Sequence, residues 1–146
     1  MIHDVSTDPE APPPFVALRE TRLQSRNGAE YSGLRGAQHR QRYPHIEPGV
    51  FPLLSCAVFQ AALAAANSLR WHIAATDETE GRIEATATTP LMRFKDDVVI
   101  RVRARDGGTR LDIRSASRVG RSDLGTNARR IQAFFHELDN HLKTNT

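Results

Sequence analysis

Thr109–Arg130 reads TRLDIRSASRVGRSDLGTNARR, an alternating strand pattern that stops at a glycine and opens a helix. Leu111, Ile113, Ser115, Ser117 and Val119 fall on one side of the strand, with Asp112, Arg114, Ala116 and Arg118 on the other. A period of two of this kind marks a strand with one face to bury. Gly120 breaks it, and Ser122 or Asp123 caps the helix that follows. Leu124, Ala128, Ile131, Phe134, Phe135, Leu138 and Leu142 make one apolar stripe along that helix.

Moving back toward the N-terminus, Asp106-Gly107-Gly108-Thr109 is a hairpin signal. With Gly107 and Gly108 as the loop, Arg105 faces Arg110, Arg103 faces Asp112 and Arg101 faces Arg114. Glu84, one strand earlier, has the parity to sit between the last two. The partner strand covers Asp97–Arg105, and two more alternating segments cover Trp71–Thr76 and Arg82–Thr89. A helix over about 55–69 precedes them, with Ser55 as N-cap and Val58, Phe59, Ala62, Ala65, Ala66 and Leu69 on one face. Cys56, at its start, reads as a small buried side chain. The order α-β-β-β-β-α predicts an α+β two-layer sandwich, a four-stranded antiparallel sheet with both helices on its inner face.

Residues 1–50 lack a sustained period and are rich in proline, glycine and arginine. They read as an extended arm lying over an α+β domain at 51–146. The proline run after DVSTDPE serves as a linker or strap, or docks a groove on another protein. Charge is uneven along this arm: residues 1–16 hold three acids and no Lys or Arg, and residues 17–44 hold six arginines against two glutamates.

The full chain has 146 residues, enough to bury about two-thirds of its surface as one domain. Mean hydropathy is −0.48 and no apolar run approaches the roughly 18 residues of a membrane span. Arginine supplies 18 of the 20 basic residues, which suits bidentate anion binding, although a GC-rich genome would produce the same bias. One cysteine excludes an intrachain disulfide. His136 and His141 miss the i,i+4 spacing of paired helical ligands. Phosphate-binding glycine loops and nucleophile elbows are absent. No catalytic group, metal or cofactor is indicated, and Tyr31 and Tyr43 are too few among the arm's arginines to make nucleic acid a partner.

Two places can hold an anion. At the strand-to-helix turn, Arg118, Arg121 and Arg130 converge with Ser122 and Asn127 on the N–H groups of the helix. Asp123 occupies the same place, so the arginines serve either an external anion or an internal network. On the outer sheet face, Arg101, Arg114 and Glu84 form either a solvated charged surface or a shallow polar one for an acidic ligand or partner. Three functions are consistent with this: a binding or accessory module holding an anionic ligand or partner segment, a small hydrolase or isomerase with a pocket between arm and sheet, or an electrostatic binder of nucleic acid or anionic lipid through the arm.

IHDVSTDPEAPPPF, RYPHIEP, GRIEATATTPLMRFKDDVVIRV and RSASRVGRSDLGTNARRIQAFF together resemble the bacterial and thylakoid-lumen family called domain of unknown function 1499. The resemblance implies a small periplasmic or otherwise extracytoplasmic domain, attached to the membrane only through an anchor outside this chain. A short cytoplasmic member is the alternative. The arm segment QSRNGAEYSGLRGAQHRQ departs from the family pattern by being more basic and irregular.

Overall fold

A computed structural model describes residues 2–144. In chain order the elements are β1 (Asp4–Ser6), α1 (Arg19–Leu23), α2 (Gly36–Arg42), β2 (Gly49–Phe51), α3 (Ser55–Ser68), β3 (His72–Asp77), β4 (Arg82–Thr88), β5 (Lys95–Arg105), β6 (Gly108–Ser117) and α4 (Thr126–Thr144). The four alternating segments form β3 to β6 and the two apolar stripes form α3 and α4, except that Val119 lies past the end of β6 and Leu124 ahead of α4, and both are exposed. The architecture is α+β with an antiparallel sheet, as expected.

The sheet has six strands rather than four, and both additions come from the arm. The far edge of β6 pairs with β2 along Thr109–Leu111 and with β1 along Arg114–Ala116. An open β6 edge would leave a row of N–H and C=O groups unpaired, and two three-residue strands are enough to close it. The arm also enters the core: Val5, Tyr43 and Ile46 are buried in one cluster with the α3 alanines, Trp71, Ile83, Ile100, Ile113, Phe134 and Leu138. Residues 1–50 are therefore structural partners of 51–146 rather than a covering laid over a finished domain.

The β5–β6 register differs from the expected one by two residues. Arg105 pairs with Gly108, Arg103 with Arg110 and Arg101 with Asp112. Asp106 (φ 45°) and Gly107 (φ 79°) are the left-handed pair at the turn, the requirement of a two-residue type I′ loop. Gly108 belongs to the strand for another reason, since a Cβ there would collide with the carbonyl oxygen of Phe51 in β2. A shift of two preserves inward and outward parity, so the core positions survive the correction. It also removes the Arg101–Arg114 repulsion: Arg114 lies opposite Val99.

Two local expectations at α3 fail. Ser55 makes no capping bond; the preceding residue is Leu54, and the Ser55 hydroxyl lies 3.3 Å from that of Thr109. Cys56 is exposed, because α3 turns Val58, Phe59, Ala62, Ala65 and Ala66 to the core and Cys56 lies on the other side. The alanines let α3 lie close to α4, and Trp71 stacks on Phe134 at a centroid distance of 5.8 Å.

Candidate functional site

The outer sheet face is polar in sequence but is not wet. The arm crosses it, and Phe15 and Leu18 bury Val99 and Ala116 beneath them. Charges enclosed there must be paired, and each has its partner. Arg114, 2% exposed, makes a two-pronged contact with Asp4 at 3.0 and 2.9 Å, donates to the Pro13 and Ala29 carbonyls, and lies under the Phe15 ring. Arg22 of α1, 1% exposed, bonds Asp97 at 3.0 Å and the carbonyls of Gly28, Ala116 and Ser117. Burial lowers the pKa of its guanidinium, and Asp97 opposes that shift. Glu84 accepts the backbone N–H groups of Val16, Ala17 and Leu18 at 3.0, 2.7 and 3.1 Å, anchoring the chain just ahead of α1. It does not lie between Arg101 and Arg114.

The residues expected to hold an anion are thus distributed among internal acids. Arg118 grips Asp97 with Nε and Nη2, both at 2.9 Å, and that hydrogen bonding raises its pKa. Arg101 meets Asp8 at 3.2 Å and Asp112 at 3.5 Å. Arg130 Nη1 lies 2.7 Å from Asp96 Oδ2, a charge contact rather than an aligned hydrogen bond, and donates to Asn127 Oδ1 at 3.0 Å. Asp123 caps α4 by accepting the N–H groups of Gly125 (2.7 Å) and Asn127 (3.1 Å), while the Ser122 hydroxyl lies 3.5 Å from the Leu124 nitrogen. Asn127, fully buried, ties Ser115, Ser117 and Asp123 together. Of the arginines in this set only Arg121 is exposed and without a carboxylate among the described residues.

Tyr31 gives this face a pH dependence. Its hydroxyl donates to the Leu34 carbonyl at 2.7 Å, and burial, then the charge of Asp4, pushes the phenol pKa well above its usual value. The unfolded phenol ionises near pH 10. The folded pKa is raised, so this contribution to stability is fully present below about pH 10 and is lost as pH climbs beyond it. Tyr31→Phe is expected to flatten the alkaline fall in urea midpoint, and an unchanged alkaline limb would contradict the assignment.

A different feature occupies the strand-to-helix turn. The β4–β5 loop is closed by Thr89 and Phe94, with Thr89 N donating to Phe94 O at 2.9 Å and Phe94 N to the Thr89 hydroxyl at 2.8 Å. It faces the β6–α4 loop across a recess of about 310 Å³. Leu91, Met92, Phe94, Val119 and Leu124 form the walls, and Asp96, Ser117 and Asp123 contribute polar groups below. These five are among nine exposed large apolar side chains of the described residues, with Leu91 at 93% and Leu124 at 84% exposure. Arg93 (φ 58°) and Leu124 (φ 54°) both hold left-handed backbone, which costs a non-glycine residue about 1 kcal/mol or more. The first described residues reach the same place, since Asp123 N donates to the Ile2 carbonyl at 2.9 Å. The sequence signal was the run Leu91-Met92-Arg93-Phe94 between two strands, an apolar cluster where a loop is ordinarily polar.

The antiparallel sheet with the two long helices, α3 and α4, packed on it is a known arrangement. It is similar to the crystal structure of Ara h 8.0201, with a TM-score of 0.52 and 12% identity over 66% of this chain and 95% of that one. A weaker likeness, with a TM-score of 0.41 and 10% identity over 68% of this chain and 96% of the other, is to the crystal structure of TTHA0849 from Thermus thermophilus. The chain itself belongs to the family described as "Protein of unknown function (DUF1499)", which matches residues 4–138. No curated protein matches it. Among the described residues, no helix is long and apolar enough to cross a membrane.

Proposed function

We propose that this chain is a binding module that takes up the apolar chain of an amphiphile in the recess between the β4–β5 loop and the β6–α4 turn. The observation that carries the reading is the grouping of Leu91, Met92, Phe94, Val119 and Leu124 around one opening of about 310 Å³. Single exposed apolar side chains are ordinary, whereas a contiguous group around a concavity with polar groups at its base is how binding sites are built. The place is the strand-to-helix turn where an anion was expected. The internal pairing of Arg118 and Arg130 favours an apolar group over a charged one at the recess itself. A cell-envelope setting, implied by the family resemblance, suits a lipid-like ligand. The same resemblance is consistent with a periplasmic accessory role.

Calorimetric titration with decanol tests this. Wild type is expected to bind, and Leu91→Ser/Leu124→Ser to bind at least about tenfold more weakly, because each leucine covered by ligand contributes up to roughly 1.5–3 kcal/mol. Both side chains are exposed, so the variant should melt near wild type. Absence of binding, or equal affinity in the variant, would refute the proposal.

A further inference from the structure

Leu124 borders a second recess on its other side. This one, about 300 Å³, lies between Arg42–Ile46 and the first turns of α4, with Arg42, Tyr43 and His45 on one wall and Gly125, Arg129 and Gln132 on the other. Its two arginines are unlike the paired ones described above. Arg42 rests over the Tyr43 ring, 5.0 Å from the centroid, and Arg129 donates to the Leu124 carbonyl at 3.1 Å and the Thr126 hydroxyl at 3.4 Å. Neither has a carboxylate within ion-pair distance among the described residues, whereas Arg22, Arg101, Arg110, Arg114, Arg118 and Arg130 all do.

Tyr43 supplies an independent sign. Its side chain is 6% exposed, yet its hydroxyl has no hydrogen-bond partner among the described residues. Buried hydroxyls are nearly always satisfied, and one left over beside a recess marks a place where a partner is missing. Burial, then the Asp123 charge, raises the phenol pKa, so the group remains a neutral donor. Asp123 keeps its charge but forms no ion pair with either arginine among the described residues; its oxygens accept from Gly125 N, Asn127 N and Asn127 Nδ2. The result is two guanidinium groups without a carboxylate at one polar cavity, whose lining includes a tyrosine with a buried, unpartnered hydroxyl.

We propose that this recess is an anion subsite, in which Arg42 and Arg129 hold a phosphate or carboxylate head group and the Tyr43 hydroxyl donates to it. An amphiphile lying in the apolar recess crosses Leu124 to reach it. This last step rests on the function proposed above; the anion subsite does not.

Decyl phosphate, decanol and inorganic phosphate separate the two claims by titration calorimetry. Wild type is expected to bind decyl phosphate about tenfold or more tightly than decanol, since charge-assisted hydrogen bonds add to the same chain. In Arg42→Ala/Arg129→Ala the two ligands should bind alike, with decanol affinity unchanged. Both arginines are exposed, so the double variant should fold, and Tyr43→Phe should lose a smaller part of the preference. Equal binding of both ligands by wild type, or a preference that survives the double substitution, overturns the subsite while leaving the apolar recess standing. Inorganic phosphate bound by wild type and lost in the double variant, with no decanol binding, supports the subsite as one for a free anion and overturns the recess. Failure of all three ligands overturns both.

Discussion

Asp97→Ala is expected to lower stability by about 3–5 kcal/mol, the cost of leaving a buried charge without its counterion. Every lone pair of Asp97 is in use. One oxygen accepts from Arg22 and from Arg118 Nε, the other from Arg118 Nη2 and the Thr86 hydroxyl at 2.8 Å. Removing the carboxylate strands Arg22, which is enclosed by the arm and would keep only carbonyl partners. For a chain of this length that corresponds to a melting point roughly 10–20 °C lower. Arg118→Ala should cost far less, about 1 kcal/mol, because Arg118 is partly exposed and Asp97 would still have Arg22. Replacing both members, as in Arg22→Met/Asp97→Leu, should recover much of the loss, because an apolar pair carries no desolvation cost. Urea midpoints check the series, and a change below about 1 kcal/mol for Asp97→Ala would show the face to be wetter than its burial implies.

The second large effect concerns the arm. A fragment spanning 51–146 holds both long helices and four strands, and its length alone would allow an independent domain. It is nevertheless expected not to fold. Loss of Val5, Tyr43 and Ile46 opens the core cluster, and loss of β1 and β2 exposes the whole edge of β6. Arg114 and Asp97 would lose Asp4 and Arg22, and Glu84 would lose three N–H donors. Far-ultraviolet dichroism should show no cooperative melt and the amide spectrum should be poorly dispersed. A sharp melt with dispersed amides would restore the arm to the status of a covering.

The central sheet and the two long helices are legible because each shows a sustained period. Ile100 and Val102 alternate with Arg101 and Arg103, and the stripe from Ile131 to Leu142 repeats at helical spacing. The turn register is not, because two adjacent glycines offer two loops, and only the Phe51 carbonyl against Gly108 decides between them. Asp4–Ser6 and Gly49–Phe51 are too short to display any period. The outer face is legible as polar but not as buried, since alternation tells which side a residue takes and not what lies over it. At the strand-to-helix turn the sequence leaves open an internal network and an external anion, and Arg118 and Arg130 sit against Asp97 and Asp96. The recess escapes a reading by pattern because the Leu91-Met92-Arg93-Phe94 loop carries no period, and Tyr43 and Arg42 escape it because their partners in α4 lie some 80 residues away in the chain.

Titrating isotope-labelled protein with decanol and following its backbone amides tests the proposed function most directly. The account predicts shifts concentrated in Thr89–Phe94 and Val119–Thr126, with the amides of α3 and β3 undisturbed. No shifts at any attainable concentration, or shifts centred on the other exposed apolar residues, Val16, Leu23, Val50 and Leu54, would contradict it.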